Sequence, residues 1–219
     1  MKMSDELRAR VTTDLRPVRP LLPPWQRALL IVPALVLVWA IGPGVLGVRG
    51  DVDAIGPLLA WGGSILQLVV AAVIVAGALR EAVPGEQLAR PQAAALLLSG
   101  FLATILLAIA TNAVSPEPVP RPETWFAWRF CWDGAVRVGA PLVLLLGVVL
   151  ARGLPMRPGL AGALSGMGAG TAVDGGWRLY CGYSNPAHVV LSHGGAVLAL
   201  TVAGVALAVT VGRLRQKSR

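Results

Sequence analysis

The chain has 219 residues, of which 55% are hydrophobic and 14% charged, and its formal net charge is +8. The charged fraction is well below the roughly 25% of soluble domains, and the apolar residues fall in runs long enough to cross a bilayer. This composition predicts an integral membrane protein without enzymatic activity. It excludes a soluble enzyme, a DNA-binding domain and a secreted disulfide scaffold.

The first 27 residues form the longest segment outside the apolar runs. Residues 4–15 are predicted to form a short helix, because Ser4 can cap it and acidic residues occupy its first turn. Leu7, Val11, Leu15 and Val18 form an apolar stripe at helical spacing, with Val18 just beyond the end of the helix, which Pro17 and Pro20 terminate. An isolated helix of this length is marginal in water. We therefore expect it to dock on the inner membrane leaflet or in an apolar groove of a partner protein.

Six apolar runs follow, each of which is predicted to be a membrane span. They lie at about residues 28–46, 57–79, 93–114, 128–151, 160–180 and 189–211. The predicted fold class is an all-α integral membrane protein, a bundle of six transmembrane helices preceded by a short amphipathic cytoplasmic helix. The expected organisation is a partner-binding segment at 1–27, a transmembrane domain at 28–212 and a basic tail at 213–219.

The distribution of basic residues predicts the orientation. With the N-terminus inside, 14 of the 19 Lys and Arg residues fall on the inner side of the membrane, as the positive-inside rule requires. Both termini are therefore expected to be cytoplasmic, in a multi-pass protein of a bacterial inner membrane. The lipid bilayer accounts for the basic excess without a nucleic-acid partner, and the oligomeric state is left open.

The fourth and fifth spans carry charged residues. On the fifth span Gly162, Gly166, Gly170, Asp174 and Arg178 recur every four residues, a small-residue spacing that lets another helix approach closely. The fourth span repeats the acid–base spacing with Asp133 and Arg137. We predict that these four charged residues form an intramembrane polar network, because charge facing lipid is costly. Such a network would fix helix register or have a functional role.

Both cysteines and both histidines lie toward the outer side. Cys131 lies near the outer end of the fourth span and Cys181 just after the fifth, while His188 lies in the following outer loop and His193 at the start of the sixth span. The two cysteines would form a stapling disulfide or a reversible redox switch. All four side chains could instead hold a metal or haem, although Cys-x6-His-x4-His matches no standard motif. In the simplest interpretation the histidines are interfacial hydrogen-bonding residues.

The arrangement resembles the NrsF family of bacterial membrane anti-sigma factors. The resemblance is carried by the segment Asp14-Leu15-Arg16-Pro17-Val18-Arg19-Pro20-Leu21, by Pro24-Trp25, by the six spans and by the turn at residues 154–158. The placement of one cysteine at the start of the fourth span and one just after the fifth is the other specific feature. The likeness extends over essentially the whole chain.

The resemblance implies a regulatory function. The N-terminal segment would hold an extracytoplasmic-function sigma factor at the membrane, away from RNA polymerase. The apolar stripe would supply the anchors, and Asp14, Arg16 and Arg19 the polar contacts. Cys131 and Cys181 would respond to an oxidative or other envelope signal.

One alternative function is a small membrane sensor or carrier that binds a metal or haem at the outer Cys and His residues. A transporter is disfavoured, because the inner halves of the spans contain few polar residues.

Overall fold

The computed structural model describes residues 5–6, 12–13, 22–114, 125–153 and 155–217, and within these ranges every regular element is helical. The six long helices are α1 (Pro24–Leu46), α2 (Leu58–Glu81), α3 (Arg90–Val114), α4 (Trp125–Ala151), α5 (Pro158–Tyr180) and α6 (Pro186–Lys217). A short helical turn, Val52–Ile55, lies between α1 and α2. The predicted all-helical class is confirmed for the described part of the chain.

The predicted N-terminal helix falls mostly outside the described residues. Residues 5–6 and 12–13 are described, and they are helical and exposed. The residues predicted to bind a partner all lie outside the described ranges: Leu7, Val11, Asp14, Leu15, Arg16, Val18 and Arg19. Their role stays a prediction from the sequence.

Five of the six long helices are long and apolar enough to cross a membrane, namely α1, α2, α3, α4 and α6. Helix α5 differs because it is rich in glycine and is enclosed by the others. Of its residues 161–177, all except Ala163 are buried. The five surrounding helices instead present exposed Leu, Val and Ile side chains, as expected of faces toward lipid.

Glycines allow α5 to lie directly against the backbones of its neighbours. Along the contact with α6, Gly162 faces Gly204, Gly166 faces Leu200 and Gly170 faces Val197. A Cβ at either of the first two positions would overlap the main chain of α6. The partners on α6 run in reverse order, so the two helices are antiparallel. One turn further along the same face Asp174 meets His193, with Oδ1 and Nδ1 2.9 Å apart.

At one end of the bundle, here named the Glu81 end, a buried ion pair joins two turns. The fully buried Glu81 carboxylate accepts hydrogen bonds from the Arg157 guanidinium at 2.6 and 3.0 Å and from the backbone N–H of Leu88 at 2.8 Å. Arg157 also donates to the Leu88 carbonyl at 2.6 Å. The turn between α4 and α5 is thereby fixed to the turn between α2 and α3.

Candidate functional site

Both cysteines and both histidines meet at the opposite end of the bundle, here named the Cys131 end. Cys131 lies in the second turn of α4, Cys181 directly follows α5, and His188 and His193 lie on α6. All four side chains are buried. One potential ligand atom from each lies within 4.8 Å of the others. We call these four residues the Cys2His2 cluster.

A π-helical turn brings the two histidines to the same side of α6. In an α-helix, residues five apart point about 140° away from each other, because each residue turns the chain by about 100°. The α6 segment Val189–Gly194 is π-helical, and a π turn is wider because it closes with i to i+5 hydrogen bonds. His188 and His193 are five apart, so the wider turn aligns them.

The two thiols are close neighbours without being bonded. Their Sγ atoms are 3.8 Å apart and both cysteines are free, whereas a disulfide bond is about 2.05 Å long. Cys181 Sγ also lies 3.5 Å from Nε2 of His188. The contact with Cys131 and the burial of the side chain raise the pKa of the Cys181 thiol above its usual range. A pair of thiolates at this place would therefore require a neighbouring cation.

Aromatic rings fix the orientation of His188. Its imidazole stacks on Tyr183 with ring centroids 4.7 Å apart, and it meets the edge of Trp128 at 5.4 Å. The His193 ring approaches it edge-on at 5.6 Å. Because the ring is packed from several sides, Nε2 of His188 is held toward Cys181.

A carboxylate fixes the orientation of His193. Asp174 accepts hydrogen bonds from Thr104 Oγ1 at 2.6 Å, from Gln67 Nε2 at 2.5 Å and from His193 Nδ1 at 2.9 Å. An ionised carboxylate only accepts hydrogen bonds, so Nδ1 of His193 carries the proton. Nε2 of His193 is buried and has no hydrogen-bond partner among the described residues. In the neutral imidazole that donates from Nδ1, Nε2 carries the lone pair and faces the Cys2His2 cluster.

Among the described residues no hydrogen bond or ion pair joins Asp133, Arg137, Asp174 and Arg178 directly, although Asp174 and Arg178 interact electrostatically. Asp133 is paired instead with Arg129, at 3.3 Å on the partly exposed side of α4. Arg178 donates to Thr111 on α3 at 2.5 Å. The four-residue spacing drifts by about 40° per step around a helix, and Arg178 contacts α3 whereas Asp174 contacts both α3 and α6.

The sequence patterns also missed the polar residues that hold Asp174. Gln67 on α2 and Thr104 on α3 lie within apolar runs and are buried. A signal was present, since Ser64 and Gln67 are three apart, and Thr104 and Thr111 are seven apart, on single helix faces. Polar residues repeated on one face of an apolar helix indicate that this face is oriented toward the interior of the bundle.

Comparisons with known proteins identify the family. The family model NrsF, described as negative regulator of sigma F, matches residues 11–213. No curated protein and no solved structure matches the chain. Because the match extends over nearly the entire chain, this protein belongs to the NrsF family of negative regulators of a sigma factor.

Proposed function

We propose that this NrsF-family protein is a membrane-bound anti-sigma factor that holds an extracytoplasmic-function sigma factor at the cytoplasmic face of a bacterial inner membrane. The observation that carries the proposal is the family match over residues 11–213, which includes part of the N-terminal segment and the helical bundle. Five helices apolar enough to cross a membrane support attachment to a bilayer.

The proposal assigns six spans to the chain, with α5 as the fifth. Helix α5 is antiparallel to α6 and packs along it from Gly162 to Asp174, so it occupies the same depth of the bilayer as an apolar span. An even number of spans places both basic ends of the chain on one side, in agreement with the positive-inside rule. The Glu81 end is then cytoplasmic and the Cys131 end faces outward.

The N-terminal segment is the proposed binding arm for the sigma factor. Leu7, Val11 and Leu15 would enter an apolar groove of the sigma factor as a helix, and Val18 would extend the contact just beyond the helix end. Asp14, Arg16 and Arg19 would form the surrounding polar contacts. Burial of several large apolar side chains from one short helix is the usual basis for such docking.

The proposed signal acts on the two cysteines. Exchange with an external disulfide would join Cys131 to Cys181, and the external disulfide would take up the two electrons and two protons that the thiols lose. Because the Sγ atoms are 3.8 Å apart and a disulfide is about 2.05 Å long, formation of the bond would draw α4 toward the end of α5. That movement would change how the N-terminal arm is presented and release the sigma factor.

The binding arm is tested by a double substitution, Val11→Asp with Leu15→Asp. Two charges on the stripe cannot be buried without a large desolvation cost, so the sigma factor should no longer co-purify with the detergent-solubilised protein. The matched control is Ala9→Asp with Thr13→Asp, which adds the same charge four residues apart, off the stripe. Co-purification that survives the stripe substitutions would overturn the proposed arm.

The second candidate function is a membrane sensor or carrier for a metal or haem, and the Cys2His2 cluster favours a single ion. Its potential ligand atoms all lie within 4.8 Å of one another among buried side chains, which suits one ion and leaves no room for a porphyrin ring. A protein that bound an ion but never a sigma factor would favour this candidate.

A further inference from the structure

We propose that Cys131, Cys181, His188 and His193 form a four-coordinate site for a divalent ion of the Zn²⁺ class, with Asp174 as the outer carboxylate that orients His193. This inference rests on the proposed function in one respect: the bound ion would take part in sensing the signal at the Cys131 end. Ion binding itself requires no sigma factor, so it is tested independently.

Two distances between ligand atoms match those of a tetrahedral zinc site. Zn–S bonds of about 2.3 Å and Zn–N bonds of about 2.05 Å, at tetrahedral angles, place two sulfur ligands about 3.8 Å apart and a sulfur and a nitrogen about 3.6 Å apart. Cys131 Sγ and Cys181 Sγ are 3.8 Å apart, and Cys181 Sγ and His188 Nε2 are 3.5 Å apart. These two distances match the spacing that the ion requires, and the other ligand-atom separations are at most 4.8 Å.

His193 supplies the fourth ligand atom. Its Nε2 is buried without a hydrogen-bond partner among the described residues, an arrangement that is unfavourable when nothing else satisfies the atom. Its Nδ1 is held by Asp174 at 2.9 Å. A histidine that ligates a metal through one nitrogen and donates from the other to a carboxylate is the usual arrangement in metal sites.

The surroundings of Asp174 indicate that this carboxylate is itself fixed. It lies at the meeting point of four helices, with Gln67 on α2, Thr104 on α3 and His193 on α6 all bonded to it. Outer groups of this kind set the ring orientation and the tautomer of a ligating histidine. Asp174 is therefore a positioning residue and not a ligand.

The chemistry of the four donors selects the ion. Two thiolates and two imidazoles in a tetrahedral arrangement favour Zn²⁺, whereas Mg²⁺ and Ca²⁺ prefer oxygen ligands. Two thiolates also neutralise the charge of one divalent ion inside the bundle. All four positions are filled by the protein, as in structural zinc sites, so the ion would tie α4 to the α5–α6 pair.

The test uses the full-length protein, reduced, treated with a chelator and titrated in detergent with Co²⁺ as the probe. We expect one Co²⁺ per chain, with the visible absorption of tetrahedral cobalt and a thiolate-to-cobalt charge-transfer band, both lost on addition of Zn²⁺. Bound cobalt without the charge-transfer band would overturn the site. So would a His193→Gln variant that binds cobalt as the natural chain does.

The outer carboxylate is tested by Asp174→Asn, with Asp133→Asn as the matched control on the partly exposed side of α4. Loss of an outer partner lowers metal affinity by about 10- to 100-fold, so Asp174→Asn should weaken binding by that factor with the tetrahedral spectrum retained, and the control should bind normally. Equal affinities in the two variants would refute the role of Asp174.

Two further measurements keep the test decisive. If the Asp174→Asn variant fails to fold, an alkylation experiment on the natural chain takes its place. Bound Zn²⁺ should protect Cys131 and Cys181 from the alkylating reagent. Thiols that react equally fast with and without Zn²⁺ would contradict the site. The Val11→Asp and Leu15→Asp variant should bind Co²⁺ normally while losing the sigma factor. A protein that binds the sigma factor but no ion would overturn this inference alone.

Discussion

At the scale of single residues, Asp174 illustrates what the sequence could and could not predict. Its position in an apolar span identified it as facing into the bundle, because a charge toward lipid is costly. Its partners are Gln67, Thr104 and His193, from three other helices. The four-residue spacing within α5 had instead predicted Arg178 as the partner of Asp174. Contacts between helices depend on how the helices pack, and the spacing of residues along one helix carries no information about that packing.

The Glu81–Arg157 pair yields a prediction at this scale. Arg157→Met leaves a fully buried carboxylate without its cation, and loss of one partner of a buried pair costs about 3–5 kcal/mol. Because Arg157 is 35% exposed, we expect a smaller loss of unfolding free energy, about 2–3 kcal/mol, measured by thermal or denaturant unfolding in detergent.

The control is Arg152→Met, which changes an exposed arginine of the same turn and should leave stability within about 0.5 kcal/mol. Adding Glu81→Gln to Arg157→Met should restore part of the loss, since the unpaired charge is gone. Equal stability of the single and the double variant would contradict the proposed role of the ion pair.

At the scale of elements, helix existence was predictable and helix ends were less so. The second span was expected at 57–79 and α2 occupies Leu58–Glu81, whereas the sixth was expected at 189–211 and α6 runs from Pro186 to Lys217. Apolar content marks the part of a helix in lipid, and a helix continues beyond it into the interface. The π turn at Val189–Gly194 has no signature in residue type, which explains why the alignment of the histidines was not predicted.

The contact between α5 and α6 provides a prediction for glycine. A Cβ at Gly166 would overlap the Leu200 carbonyl and lie 2.6 Å from the Cα of Thr201. Backbone atoms cannot rotate away, so Gly166→Ala should lower the unfolding free energy by about 1–3 kcal/mol. At Gly159, on the same helix, the nearest atom would be 3.7 Å from the added Cβ.

Gly159→Ala is therefore the matched control, and it should be neutral or stabilising by up to about 1 kcal/mol, because alanine favours the helical backbone. Both variants are compared by thermal unfolding in the same detergent. If Gly166→Ala were as stable as Gly159→Ala, α5 and α6 would not be in the backbone contact described.

At the scale of the whole molecule, the bundle links two chemically different ends. The Cys131 end contains the Cys2His2 cluster, and the Glu81 end contains the ion pair and the first residues of α1. Helix α5 lies at the centre of the bundle and connects the two ends. Asp174 lies near the Cys131 end, and Arg157 directly precedes the first residue of α5 at the Glu81 end. The sequence predicted that both cysteines and both histidines lie toward one side of the membrane, and the structure brings the four side chains together in one cluster.

We propose that the redox state of Cys131 and Cys181 sets the affinity for the sigma factor at the opposite face of the membrane. The most direct test is to measure that affinity for the protein in lipid nanodiscs, with Cys131 and Cys181 reduced and after their oxidation to a disulfide. Coupling between two sites is typically 5- to 150-fold. We predict weaker binding by about such a factor after oxidation, and no change in Cys131→Ser with Cys181→Ser. Equal affinities of the natural chain in both states would contradict the account.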